Sequence, residues 1–288
     1  MTDLRAGGLV ETPEGQACLD ALLADPASAL VAFDFDGTLS PIVDDPASAH
    51  VDPDAIAALG RIGAFVGTVA VITGRPARTA VSLGGLDQVP GLGSMVVLGQ
   101  YGVERWDAAT GEFAIPEPPH EVADVEAALP GLLASLGLEG VQLEHKQRAI
   151  GIHTRQCEDP AGTFATLQGP VTRLAEEHGL TVEPGRNVLE IRADGFDKGG
   201  ALRALVAERG SRAVVFGGDD LGDLPAFRAA RELRGEGLTS LLVCSASAEE
   251  DALVQLSDVV VDGTQGVAGW CSGVADLLEQ ARPQPPQG

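Results

Sequence analysis

No stretch of this 288-residue chain reaches the roughly 18 uninterrupted apolar residues of a membrane-spanning helix, although 44% of it is hydrophobic. The apolar residues are spread over many short Val/Ile/Leu runs, as in a globular protein with ample core. The first residues, Met1-Thr2-Asp3-Leu4-Arg5-Ala6-Gly7-Gly8, lack the basic-then-apolar pattern of a signal peptide, and a cytoplasmic location is the expectation. Positive charge is scarce: 19 basic residues face 42 acidic ones, a net charge of −23. A general nucleic-acid or anionic-membrane partner demands basic surface, so neither is expected. A small anionic substrate needs only a few local cations and a metal. Cysteine is scarce as well. Cys18, Cys157, Cys244 and Cys271 are scattered without a Cys-x-x-Cys pair, which argues against a zinc site or a disulfide framework.

What stands out instead is Leu30-Val-Ala-Phe-Asp34-Phe-Asp36-Gly37-Thr38-Leu39-Ser40. An apolar strand ends in two carboxylates spaced i, i+2, which strand alternation puts on one side. Two such charges repel one another, so a fold keeps them where a cation or ligand compensates them. An acidic strand end facing water is the plainer alternative; the apolar run before the pair and the Gly-Thr turn after it favour a magnesium site.

Strands are expected at 29–35, 68–73 and 95–99, apolar on both faces as parallel strands between helices are, with a helix over 54–62. From about Asp107 the texture changes. The segment 112–121, with Pro116, Pro118 and Pro119, reads as a linker. A helix over 122–136, alternating strands at 141–144 and 149–154, a helix over 161–178 and a strand at 187–192 then suggest a small antiparallel α+β insert. Asp197 is a candidate N-cap for a helix over 198–209, stopped by Gly210. Strands at 213–216, 240–244 and 259–261, a last helix near 267–281 and a Pro-rich tail of 282–288 complete the chain. The expected architecture is α/β: a Rossmann-like parallel-sheet core with helices on both faces (1–106 and 193–288) and an inserted α+β cap (107–192).

Three further clusters sit where strands should end. In Val69-Ala-Val-Ile-Thr73-Gly74-Arg75 a hydroxyl and turn amides can bind phosphate oxygens. Lys198 opens a helix against its dipole, and neutralising a carboxylate and a phosphate would be a reason for it. Gly217-Gly218-Asp219-Asp220-Leu221-Gly222-Asp223 offers hard oxygen ligands suited to Mg²⁺, beside the alternative of an acidic helix start.

The order Asp-x-Asp-Gly-Thr, Thr-Gly-Arg, Lys, Gly-Asp-Asp-x-x-Asp resembles the haloacid-dehalogenase-like phosphohydrolases over nearly the whole chain. Within them, Gly99-Gln-Tyr-Gly102-Val-Glu104-Arg105, Leu143-Glu144-His-Lys146 with His153-Thr-Arg155, and Glu183-Pro-Gly-Arg186-Asn-Val-Leu-Glu190 are similar to the trehalose-6-phosphate phosphatases. Gly222-Asp223-Leu224 stands where the commoner form has Thr-Asp-Glu, and Gln100-Tyr101 also departs from the usual pair. The resemblance implies Asp34 as nucleophile and Asp36 as acid and base, with Thr73 and Lys198 on the phosphoryl oxygens. It implies Mg²⁺ held by Asp34, Asp36 through its carbonyl, and Asp219, with Asp220 or Asp223 supporting. Arg75, Glu144, Lys146, Arg186 and Glu190 would bind substrate, the last four a disaccharide, though each alone could be an ordinary solvent-facing position. The implied reaction is release of phosphate from trehalose 6-phosphate, the last step of trehalose biosynthesis. Another sugar phosphate, such as sucrose phosphate or mannosylphosphoglycerate, and a non-catalytic sugar-phosphate-binding protein are the alternatives. A small sugar phosphate is the expected partner, and the sequence is compatible with a monomer.

Overall fold

Ala29–Phe33 is buried at every position, because helices cover both faces of the strand. Alternate residues serve two cores: Ala29, Val31 and Phe33 belong to one apolar cluster, Leu30 and Ala32 to another. A period-2 strand between two helical layers reads as a continuous apolar run for this reason. The computed structural model describes residues 9–281, apart from 44, 139, 147, 186, 194–195 and 247–250.

The chain runs α1 (Pro13–Ala24), β1 (Ala29–Phe33), α2 (Pro53–Gly63), β2 (Thr68–Ile72), α3 (Ala77–Gly84), β3 (Val96–Gly99), β4 (Glu104–Asp107) and β5 (Glu112–Ala114). There follow α4 (His120–Leu136), β6 (Gln142–His145), β7 (Ala149–His153), α5 (Pro160–Glu177), β8 (Leu180–Gly185) and β9 (Val188–Ala193). The last part is α6 (Lys198–Arg209), β10 (Ala213–Gly218), α7 (Leu224–Gly235), β11 (Thr239–Ala246), α8 (Asp251–Val254), β12 (Val259–Asp262) and α9 (Gly263–Ala281). Contacts divide it into two compact units, 1–115 with 196–288, and 116–195.

In the larger unit eight strands form one sheet in the order β12-β11-β10-β1-β2-β3-β4-β5. The pairs from β12 to β3 are parallel; β4 and β5 add on antiparallel. From β1 the chain steps outward through β2 and β3, and from β10 it steps the other way through β11 and β12. The reversal falls between β1 and β10, and ligands of open α/β sheets gather beyond the carboxyl ends of strands at such a point. Residues of α1, α2 and α9, including Leu22, Leu59 and Trp270, cover one face. Leu202 of α6 and Phe227 of α7 cover the other.

The expected linker over 112–121 begins as a strand: Phe113 pairs with Trp106, and their rings lie 6.2 Å apart. The sheet therefore continues past residue 107, where the sequence texture changes. The smaller unit is a four-stranded antiparallel sheet, β6-β7-β9-β8, with one more strand than the sequence suggests. β8 is hidden in the sequence by Pro184 and Gly185 near its end. It is an edge strand, where a residue without an N–H costs no ladder bond. One face of this sheet packs Ile150, Ile152, Leu189 and Ile191 against Val125 and Leu129 of α4 and Leu167 and Val171 of α5. The tail of 282–288 lies outside the described residues.

Candidate active site

Asp34 is the first residue beyond β1, and its N–H still bonds the Gly217 carbonyl at 2.8 Å. That link holds β1 and β10 in register where the sheet topology reverses, so Asp34 and Asp219 leave neighbouring strands together. The turn after Asp34 closes through Gly37 N–H to the Ser40 carbonyl (2.7 Å) and Leu39 N–H to the Phe35 carbonyl (3.0 Å). Gly37 sits at φ +74°, and a Cβ there would come within 1.9 Å of Asp219 Oδ2. Only glycine both adopts the left-handed turn and lets that carboxylate approach. Thr38 Oγ1 donates to Asp219 Oδ1 (3.2 Å), and Ser245 Oγ on β11 donates to the Gly37 carbonyl (2.7 Å).

Lys198 begins α6, whose start is set by the Asp197 side chain accepting from Gly200 N–H at 2.7 Å. Its ammonium is buried and lies 2.6 Å from Asp34 Oδ1 and 2.8 Å from Asp223 Oδ1. Asp223 also accepts from the N–H groups of Asp219 (2.9 Å) and Asp220 (3.3 Å). Asp220 turns outward instead, capping a short 3₁₀ turn at Gly222 N–H (2.9 Å). Of the two candidates for supporting the metal, Asp223 is fully buried and Asp220 is exposed.

Asp34, Asp219 and Asp223 each offer a carboxylate oxygen within 4.8 Å of the others, and all three are buried. Burial raises the Asp34 carboxyl well above its ordinary range despite Lys198. Burial, and after it the charges of Asp223 and Asp220, raise Asp219 to about 7. Asp223 is raised by burial too, against the pull of Lys198. Burial opposes the Lys198 ammonium, but Asp34 and Asp223 outweigh it and hold the group protonated. Three buried carboxyl groups around one ammonium cannot all ionise without further positive charge. A hard divalent cation fits this donor set in ligand type and in charge.

Asp36 meets a different cation. Arg75 forks onto it through Nε–Oδ2 and Nη2–Oδ1, both 2.7 Å, and Arg75 Nη1 also donates to the Pro46 carbonyl (2.9 Å). The Arg75 guanidinium lies 5.4 Å from the Phe35 ring centre. Thr73 is buried at the end of β2, where its Oγ1 accepts the Arg75 N–H at 3.1 Å. A residue that pattern reasoning left without a role supports this turn. Glu104, 2% exposed on β4, accepts the N–H of Ala77 at the start of α3 (2.7 Å). Its only signal in the sequence was its place in the Gly-x-x-Gly-x-Glu-Arg stretch.

In the smaller unit, Glu144, Lys146 and Glu190 come together on the face of the sheet opposite its apolar core. Lys146 Nζ lies 2.5 Å from Glu190 Oε2 and 3.7 Å from Glu144 Oε2, and His153 Nε2 lies 2.9 Å from Glu144 Oε2. Arg186 lies outside the described residues.

The fold matches solved structures over most of its length. It superposes on an Aspergillus fumigatus trehalose-6-phosphate phosphatase with a TM-score of 0.70 at 22% identity, covering 91% of this chain and 97% of that one. The corresponding values for a haloacid dehalogenase-like hydrolase from Bacteroides thetaiotaomicron are 0.59 and 16%, with 88% and 98% covered. The fold is therefore similar to that of these phosphatase and haloacid dehalogenase-like structures. The trehalose-phosphatase family model matches residues 32–259, and the chain belongs to that family. Trehalose-phosphate phosphatase of Mycobacterium avium (strain 104) is 34% identical over 220 residues, 70% of this chain and 51% of that protein. The Mycobacterium tuberculosis (strain H37Rv) protein of the same name is 33% identical over 243 residues, 78% and 56% respectively. The chain thus spans about half the length of the curated relatives it matches.

Proposed function

We propose that this chain is a Mg²⁺-dependent phosphatase that hydrolyses trehalose 6-phosphate to trehalose and phosphate. The observation that carries the reading is the buried group of Asp34, Asp219, Asp223 and Lys198 where β1 and β10 diverge, in a chain of the trehalose-phosphatase family. Asp34 is the nucleophile: its carboxylate attacks phosphorus, the ester bond to the sugar oxygen breaks, and an aspartyl-phosphate forms. Asp36 gives its proton to the departing sugar oxygen and then takes one from the water that attacks the intermediate. For that, Asp36 must leave the Arg75 fork, and the freed guanidinium can take a phosphoryl oxygen in its place. Thr73 Oγ1 and Lys198 Nζ bind the remaining phosphoryl oxygens.

Asp34, Asp219 and the Asp36 carbonyl would hold Mg²⁺, with Asp223 steadying Asp219 through its backbone N–H. The ion supplies positive charge against the phosphoryl oxygens as negative charge builds up there. Glu144, Lys146, Arg186 and Glu190 take the sugar hydroxyls, since carboxylates accept and cations donate hydrogen bonds. The net charge of −23 supports a small-molecule substrate and no nucleic-acid or membrane partner. No described helix is long and apolar enough to cross a membrane.

Phosphate release from trehalose 6-phosphate, glucose 6-phosphate and sucrose 6-phosphate, with and without Mg²⁺, tests this. Release is expected from trehalose 6-phosphate, only with Mg²⁺, and Asp34→Asn lowers it by several orders of magnitude. Equal release from another sugar phosphate would discard the substrate and keep the chemistry. No release from any of them would overturn the reading.

A further inference from the structure

On the polar face of the smaller unit, Gly151 of β7 sits between two carboxylates, paired with Glu144 of β6 on one side and Glu190 of β9 on the other. His153 lies two residues further along β7 and so presents its side chain to the same face. Its Nε2 meets Glu144 Oε2 at 2.9 Å, and this contact passes over the Gly151 backbone. A Cβ on Gly151 would stand 2.9 Å from His153 Nε2 and 3.2 Å from Glu144 Oε2. Gly151 is not among the residues of positive φ, so it is clearance and not backbone freedom that glycine supplies here. A glycine inside a strand weakens it, and close approach by another group is the usual reason to find one there.

Two charged side chains, Lys146 and through it Glu190, are tied to that one carboxylate. Lys146 lies between Glu144 and Glu190, 3.7 Å from the first and 2.5 Å from the second. Half of the Glu144 side-chain surface is open to solvent (51%), and its only anchors on this face are Lys146 and His153 among the described contacts. Burial pushes the Glu144 carboxyl up, but the His153 bond and then the Lys146 charge outweigh it and hold it below the usual range. It stands as a charged acceptor. A carboxylate offers about four lone-pair positions, so the His153 bond leaves acceptor capacity for hydroxyl donors.

We infer that His153 is a positioning residue for sugar recognition: over the clearance left by Gly151, it fixes the Glu144 carboxylate, and with it Lys146 and Glu190, to receive the hydroxyls of the substrate. This rests on the reading of the chain as a trehalose-6-phosphate phosphatase. An unanchored glutamate on an open sheet face samples several rotamers and loses that freedom when a substrate binds. Anchored beforehand, it loses less, and the gain appears in binding more than in the chemical step.

Steady-state kinetics on trehalose 6-phosphate separate the possibilities. His153→Leu and Gly151→Ala are each expected to raise KM about three- to tenfold, the loss of one preorganised side chain. The accompanying change in kcat is expected to stay within about twofold, as for lost ground-state binding. His153→Gln, whose amide nitrogen can donate from near the Nε2 position, restores most of the KM. The double variant is no worse than either single one, because both remove the same bond. Unchanged KM in both single variants, a fall in kcat at constant KM, or additive effects in the double variant would overturn the inference. Gly151→Ala carries the test should His153→Leu not fold. A wild-type protein that hydrolyses a different sugar phosphate and not this one would fail the functional reading, and the inference with it. Wild-type turnover with an unmoved KM in the variants would fail the positioning role alone.

Discussion

Glu104 and Asp36 show how differently two carboxylates brought from distant parts of the chain can be used around the same turn. Glu104 is buried and serves the first N–H of α3, whereas Asp36 is half-buried and held by a two-pronged Arg75. Both act on the Thr73-Gly74-Arg75 segment, one by anchoring the helix that follows it and the other by occupying its guanidinium. Glu104→Ala leaves an orphan buried N–H and is expected to lower stability by about 1–3 kcal/mol, read by urea unfolding. Glu104→Gln keeps an acceptor and should recover much of that loss. Arg75→Lys keeps the charge but loses the planar fork. If Arg75 binds the phosphoryl group as proposed, KM should rise about tenfold, the equivalent of about 1.4 kcal/mol; an unchanged KM would confine Arg75 to holding Asp36. The Asp-x-Asp spacing by itself shows that two acids sit at a strand end. That each meets a separate cation, one of them 39 residues away and the other far along the chain, depends on the fold.

At the scale of elements, local signals and tertiary context divide the work. The helix Lys198–Arg209 could be read to the residue because both of its stops are chemical. Asp197 caps it by accepting the Gly200 N–H, and Gly210 ends it at φ +61°. Asp197→Ala is expected to destabilise the protein by about 1 kcal/mol in urea unfolding, and Asp197→Gly by only a few tenths. Because Lys198 is the first residue beyond that cap, the alanine variant should also lose turnover in excess of its loss of stability. By contrast, β5 and β8 have no such signal. Glu112–Ala114 has exposed ends and borders a proline-rich run, and β8 contains Pro184. They are strands because a neighbour with free backbone groups lies beside them: β4 for the one, β9 for the other. Edge pairing of this kind is set by the partner more than by intrinsic propensity.

For the molecule as a whole, the crowding of three buried carboxyl groups near the carboxyl ends of β1 and β10 is a cost to the folded state that a bound cation removes. Mg²⁺ should therefore raise the thermal midpoint of the whole chain, by about 2.7 kcal/mol of stabilisation when it is present at 100 times its Kd. Removal by EDTA should reverse the shift, and Asp219→Asn should abolish it. A midpoint indifferent to Mg²⁺ would show that Lys198 alone satisfies the cluster. The sequence by itself determined the α/β class, the buried parallel strands, the capped helix at Lys198 and the acids that end β1 and β10. Each of these is written locally, in hydrophobic period, in cap residues, or in a carboxylate placed directly after an apolar run. Only the tertiary structure decided that Asp223 faces the cluster while Asp220 faces water, that Arg75 forks onto Asp36, and that His153 reaches Glu144 across Gly151. The reason is physical: which way a polar side chain turns depends on the charges and clearances that distant segments bring to it, and no spacing along the chain encodes those.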